Sequence, residues 1–176
     1  MARYTVMMRT MSVARGFSLL ELIIYMAILS IMSVIMTGSF LSLARGRAQA
    51  DSRTEVNANV RFAMEKIEQD IRSASSVVTP VYGTASSTLQ LMIAGATTTY
   101  AVSTGILQRT VGAGSPDRIS GTTVVIDAPT FTRIENYNAT LGATSTFIQT
   151  LITVRYYGAS PDTTYSATVR TSTGLR

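Results

Sequence analysis

The chain has 176 residues, which is enough for one domain with an anchor or tail and too few for two full domains. It contains no cysteine, which excludes a disulfide framework, and no histidine, which removes the commonest general base and the commonest metal ligand. Charged residues make up 14% of the sequence, against about a quarter in ordinary soluble domains, and the formal net charge is +5.

Residues 1–16 form a short basic leader with three arginines and no acidic residue. The rest of the chain holds 12 basic and 10 acidic residues, so cleavage after Gly16 would remove most of the net positive charge. Nucleic acid therefore remains a possible partner that the charge supports only weakly.

Residues 17–44 are predicted to form a transmembrane helix. No charged residue lies between Leu22 and Ala44, a run of 23 residues. A bilayer core of about 30 Å requires about 20 apolar residues in a helix, so the run is long enough to span it. The run contains no proline, and its one glycine is Gly38.

Residues 45–78 are predicted to continue the helix in amphipathic form. One apolar stripe follows the helical period with spacings of four, three, four and four residues: Val56, Val60, Ala63, Ile67 and Ile71. The charged residues between Glu65 and Arg72 lie off this stripe and are predicted to face solvent. A continuous helix over residues 17–74 would be about 85–90 Å long at 1.5 Å per residue.

Residues 79–176 are predicted to form a β-rich globular domain. Seven segments have the alternation or β-branched content of strands: Thr88–Ile93, Thr97–Val102, Ile106–Val111, Thr122–Asp127, Thr130–Asn136, Phe147–Tyr157 and Tyr165–Thr171. The segment 103–105 is predicted to close a hairpin between the second and third of them. The expected fold class is α+β, with the amphipathic half of the helix packed on one face of an antiparallel sheet.

The junction between leader and apolar helix, RGFSLLELIIYMAILSIMSVI at residues 15–35, carries a glutamate in an otherwise apolar segment. An acidic residue at the centre of a membrane helix costs about 2.5–3.5 kcal/mol, and less near its end. Glu21 is therefore expected to have a partner.

This junction resembles the class III signal sequence of type IV pilins and type II secretion pseudopilins. The resemblance implies that a prepilin peptidase cuts between Gly16 and Phe17 at the cytoplasmic face of the membrane and methylates the new N-terminus. It also implies that Glu21, the fifth residue after the cut, pairs with the α-ammonium of a neighbouring subunit. A filament subunit of this kind needs no cofactor.

The segment RFAMEKIEQDIRSAS at residues 61–75 resembles the corresponding helix of the larger minor subunits, the J-type pseudopilins and the W-type minor pilins. The expected function is thus a structural, minor subunit of a type IV pilus-like or type II pseudopilus filament. It would reside in the inner membrane as a single-pass protein with its domain outside, then in an extracellular or periplasmic filament. Its partners would be other pilin-like subunits, the prepilin peptidase and the inner-membrane assembly platform.

Other interpretations remain open. A filament-tip module that binds DNA or surfaces, and a plain membrane-anchored β domain, are the alternative functions. Residues 48–50, Ala-Gln-Ala, could be a signal-peptide cleavage site, although 27 apolar residues exceed the usual core of about 7–15.

Tyr156 and Tyr157 beside Arg155 could stack on nucleic acid, but a strand end at a sheet edge is the preferred explanation. The residues show neither a catalytic constellation nor calcium-loop spacing, so no catalytic or metal site is predicted.

Overall fold

The computed structural model describes residues 18–140, 142–158 and 164–175. The described residues up to Leu43 form one unit, and residues from Ala44 onward form a second, compact unit. One helix, α1, runs from Leu19 to Ser73. The single long helix that the sequence predicts is therefore confirmed over these residues.

Helix α1 ends at Ser73, where the backbone begins to pair with a strand. The hydroxyl of Ser73 donates a hydrogen bond to the carbonyl of Gln69 at 3.1 Å, and the amide of Ser75 donates to the carbonyl of Met92 at 2.8 Å. The bond to Met92 takes the amide of Ser75 out of the helical pattern, in which it would bond to the carbonyl four residues back. Residues 74–78 are consequently not helical, although the sequence predicts helix to residue 78.

In the part of the chain that the structure describes, ten strands follow the helix: β1 Ser76–Thr79, β2 Ala85–Ser86, β3 Leu89–Ile93, β4 Ala96–Ser103, β5 Ile106–Val111, β6 Asp117–Arg118, β7 Val124–Ile126, β8 Thr130–Asn138, β9 Ala143–Tyr156 and β10 Ser166–Gly174. All seven predicted segments contain a strand. The three that the sequence did not reveal, β1, β2 and β6, have two to four residues, too few to show an alternating pattern.

The strands form two antiparallel sheets rather than the single sheet that was expected. The first sheet has the order β1-β3-β4-β5-β6. The second has the order β10-β9-β8-β2, with β7 also paired to β9. Strand β9 is 14 residues long, and this length lets it pair with β7 and β8 in succession. The α+β fold class is confirmed.

Two tight hairpins build the first sheet. Ala94-Gly95 connects β3 to β4, and Thr104-Gly105 connects β4 to β5, as predicted for the second turn. All four residues have positive φ, from 49° to 80°, as two-residue turns of type I′ require.

The helix and both sheets share one apolar core. The predicted helical stripe is buried throughout, and so are Leu89, Leu91 and Leu107 of the first sheet. Phe131, Ile148, Ile152 and Val154 of the second sheet join the same cluster. Complete burial of a large apolar side chain contributes about 1.5–3 kcal/mol, so these residues account for the attachment of the helix to the sheets.

Candidate processing and assembly segment

The segment that the sequence singles out lies at the N-terminal end of α1. Gly16 and Phe17, the predicted cleavage site, lie outside the described residues. Glu21 is described and lies in the first turn of the helix, where a negative charge is favoured by the helix dipole.

Glu21 has a hydrogen-bond partner one turn along the helix. The hydroxyl of Tyr25 donates to Oε1 of Glu21 at 3.1 Å. Spacings of four residues place two side chains on the same face of a helix, so this contact is local. Because residues 22–44 contain no basic side chain, this stretch of helix offers Glu21 a hydroxyl but no opposite charge.

The apolar side chains of residues 19–43 are exposed within the chain. Their large members are between 49% and 78% exposed, and no residue of the most apolar window is buried. Ser30, Thr37 and Ser39 donate their hydroxyls to carbonyls one turn back at 2.7–2.9 Å, which satisfies them without water. By length and composition, α1 is apolar enough to cross a membrane.

A buried charged cluster in the second unit was not predicted. Asp70 is only 4% exposed, whereas the sequence placed the stretch from Glu65 to Arg72 on a solvated face. It accepts hydrogen bonds from Nε of Arg109 at 2.6 Å and from the hydroxyl of Tyr100 at 2.8 Å. The other charged residues of this stretch remain at least partly exposed, so the prediction is wrong for Asp70 alone.

The Asp70 cluster also shifts the ionisation of its partners. Burial, followed by the hydrogen bond to Asp70, raises the pKa of Tyr100 above its usual value of about 10. The hydrogen bond to Asp70 raises the pKa of Arg109. Tyr100 is therefore a neutral donor, and Asp70 forms a structural ion pair with Arg109. Nζ of the partly exposed Lys66 lies 4.0 Å from the other carboxylate oxygen of Asp70.

The possible nucleic-acid platform is only partly as predicted. Tyr156 ends strand β9, but this strand lies inside its sheet, paired with β10 and β7, and not at an edge. Arg155 makes a two-pronged ion pair with Asp127, with distances of 2.9–3.2 Å. This pairing neutralises the positive charge that a phosphate backbone would require beside Tyr157.

Within the described residues, no group of three His, Cys, Asp or Glu side chains is arranged to hold a metal ion. The charged side chains that do meet, such as Arg133 with Glu135, form ion pairs of opposite sign.

Comparison with known proteins gives one match. Residues 11–37 match a family model described as the prokaryotic N-terminal methylation motif, which covers the leader junction and about three quarters of the segment 17–44. No curated protein and no solved structure matches the chain. The matched motif is that of type IV pilin and pseudopilin precursors, so the resemblance found at residues 15–35 is confirmed.

Proposed function

We propose that this chain, which carries the prepilin-type N-terminal motif, is a structural subunit of a type IV pilus-like or type II pseudopilus filament. The observation that carries the proposal is the motif at residues 11–37 running directly into an apolar helix whose side chains are uncovered. The motif supports a pilin-like subunit that prepilin peptidase processes and that assembles with other such subunits. The family that carries it is structural rather than enzymatic.

Processing generates the group that Glu21 needs. Cleavage between Gly16 and Phe17 creates an α-amine, which the same peptidase methylates, at the start of the apolar helix. At neutral pH, a carboxylate and an α-ammonium are both charged by their reference pKa values. At a separation of about 4 Å, the attraction between two such charges is about 1 kcal/mol in water and about 4 kcal/mol at the effective dielectric constant of a protein surface. The ammonium of a neighbouring subunit is thus the counter-charge that residues 22–44 do not provide.

The mature chain would be held in the inner membrane by residues 17–44, with its β domain outside. Exposed Leu, Ile and Met side chains suit lipid before assembly and the helices of other subunits afterwards. The motif and the apolar helix fit a membrane-anchored pilin that later enters a filament. An inner-membrane assembly platform would supply the work of extraction.

We place the chain among the minor subunits, of the J-type pseudopilin or W-type pilin kind. The absence of cysteine removes the C-terminal disulfide loop of many major pilins, and Gly38 stands about where they often have a proline. The segment 61–75, which resembles those minor subunits, buries most of its apolar side chains against the two sheets. A tip module for DNA or surfaces, or a plain anchored domain, would require other evidence than these contacts.

Mass spectrometry of the protein purified from its native membrane tests the proposal. The expected mature chain begins at Phe17 and carries one additional methyl group on its N-terminus. A start at Asp51 would indicate an ordinary signal peptide, and an uncut Met1 would indicate a plain anchor; either result overturns the proposal. Gly16→Val should remain uncut, whereas Gly38→Val, a matched change of glycine to valine after the cut, should be processed normally.

A further inference from the structure

In the described residues, the two sheets have five outer strands, and four of these are poor templates for further pairing. Strands β2 and β6 have only two residues each, and β7 has three. Strand β1 has four, with an irregularity in its pairing between Val77 and Thr79, and Pro80 follows it. Short strands, irregular pairing and proline are the usual means by which proteins protect a sheet edge.

Strand β10 is the longest of the outer strands. It has nine residues and pairs with β9 without interruption from Ser166 to Gly174. It contains no proline or lysine, and its one charged residue is Arg170. In the described part of the chain, no strand pairs with β10 on its other side.

The hydrogen bonds at the two ends of the ladder identify the unpaired backbone groups. The amide of Tyr156 donates to the carbonyl of Tyr165, and the amide of Leu175 donates to the carbonyl of Thr146, both at 2.9 Å. Hydrogen-bonded and non-hydrogen-bonded pairs alternate along an antiparallel ladder. The backbone amides and carbonyls of the odd-numbered residues of β10 therefore point toward β9. The amides and carbonyls of the even-numbered residues point away from β9: Ser166, Thr168, Arg170, Ser172 and Gly174.

The helix borders this edge on the inner side of the sheet. The hydroxyl of Thr171 donates to Oε1 of Glu68 at 3.0 Å, and the guanidinium of Arg53 lies 5.6 Å from the ring centre of Tyr165. The inward side chains of β10, such as Val169, are half-buried. A cleft lined by residues of α1 and by Gly174 lies at the end of the strand. The inward side chains of an added strand would therefore contact the helix that borders this edge.

We propose that β10 accepts an extended segment of a different neighbouring subunit as an additional strand. Five amides and five carbonyls along about 27 Å of edge match the repeat of an extended polypeptide, which can pair with all of them. The segment should lack proline, place small or apolar side chains beside Val169, and place an acidic one near Arg170. This inference rests on the proposed filament function.

A second copy joined through its own β10 is not the occupant we propose. Pairing of identical antiparallel edges creates a two-fold contact, which closes a dimer. A filament grows by head-to-tail contacts, so the β10 edge must meet a different surface of its neighbour.

Amide hydrogen exchange resolved to single residues provides the test. It compares the full-length chain in detergent micelles with the same chain in filaments sheared from cells. We expect the amides of Thr168, Arg170 and Ser172 to exchange at least 100-fold more slowly in the filament, and that of Val169 to be protected in both. Fast exchange of the even-numbered amides in incorporated chains would overturn this inference and leave the filament function intact. A chain that never enters filaments would overturn both.

A variant provides the second measurement. Ser172→Pro removes an amide that points away from β9, so the strand keeps its own ladder, and proline is tolerated at such edge positions. We expect at least tenfold lower incorporation into filaments, with a melting temperature close to that of the unmodified chain. Ser172→Ala keeps the amide and should be incorporated normally. Equal incorporation of the two variants would contradict the inference, and if the proline variant does not fold, the exchange experiment still decides.

Discussion

Nε of Arg109 on β5 lies 2.6 Å from Oδ2 of Asp70 on α1. The side chain of Asp70 is 6% exposed and that of Arg109 is 20% exposed, so water solvates neither well. The hydroxyl of Tyr100 on β4 bonds to the same carboxylate oxygen. The last two turns of the helix are therefore fixed to the middle of the first sheet by one carboxylate.

Replacing Asp70 should reveal how strongly the ion pair depends on both partners. Asp70→Asn leaves the charge of Arg109 poorly solvated without its counter-ion, and loss of one partner of a buried pair costs about 3–5 kcal/mol. We expect the free energy of unfolding, measured by urea titration of the full chain in micelles, to fall by about that amount. Asp127→Asn removes the partner of Arg155 in an exposed pair and should cost about 1 kcal/mol or less. Similar losses in the two variants would show that burial does not matter here.

The phenol of Tyr100 predicts a loss of stability at alkaline pH. Burial, and then Asp70, raises its pKa in the folded chain above the usual value of about 10. A group whose pKa is raised by folding stabilises fully below its unfolded pKa, and this contribution declines as the pH rises above that value. As the pH rises from 10 to 11, the unfolding free energy of the unmodified chain should fall. In Tyr100→Phe this fall should be smaller, by up to about 1.4 kcal/mol. A slope in Tyr100→Phe that matches the slope of the unmodified chain would refute the assignment.

The two hairpin glycines of the first sheet offer a matched comparison. Gly95 and Gly105 both have positive φ, 80° and 76°. A Cβ at Gly95 would meet nothing within 4 Å, whereas a Cβ at Gly105 would lie 2.8 Å from Cγ1 of Val125. Gly95→Ala should cost about 1 kcal/mol for the left-handed backbone alone. Gly105→Ala should cost about 2–4 kcal/mol, because overpacking adds about 1–3 kcal/mol.

Thermal unfolding of the two alanine variants in the same micelles measures this difference. The double variant Gly105→Ala with Val125→Ala removes the obstructing methyl groups and should recover part of the loss. If Gly105→Ala and Gly95→Ala melt at the same temperature, the close approach to Val125 has no energetic consequence.

Local patterns in the sequence predicted what local spacing determines. The stripe from Val56 to Ile71 follows from the helical period, and each of its positions is buried. Asp70 could not be predicted in this way, since its partners Tyr100 and Arg109 are 30 and 39 residues away and only the sheet brings them to the helix. The division into two sheets depends on non-local pairing in the same manner, and strands of two residues carry no pattern.

The assembly segment is more predictable because its information is local. The motif could be identified from the spacing between the leader and Glu21 in the sequence, and residues 11–37 match the methylation motif. The hydrogen bond from Tyr25 was readable in principle, as the two residues are four apart on one helix. The open edge of β10 was not, because the sequence does not say which strands lie outermost.

The contact between Tyr25 and Glu21 separates a role for charge from a role for hydrogen bonding. If the ammonium of a neighbouring subunit takes over Glu21 during assembly, the negative charge is required and the phenol is not. Glu21→Gln keeps the size of the side chain and should lower incorporation into filaments at least tenfold. Tyr25→Phe removes one hydrogen bond to a charged group, about 1.5–3 kcal/mol in the unassembled chain, and should leave incorporation within about twofold.

Immunoblots of sheared filaments, normalised to the amount of processed chain in the membrane, measure the incorporation of both variants. Normal incorporation of Glu21→Gln would show that the carboxylate does not act through its charge, and a defect in Tyr25→Phe alone would assign the positioning role to the phenol.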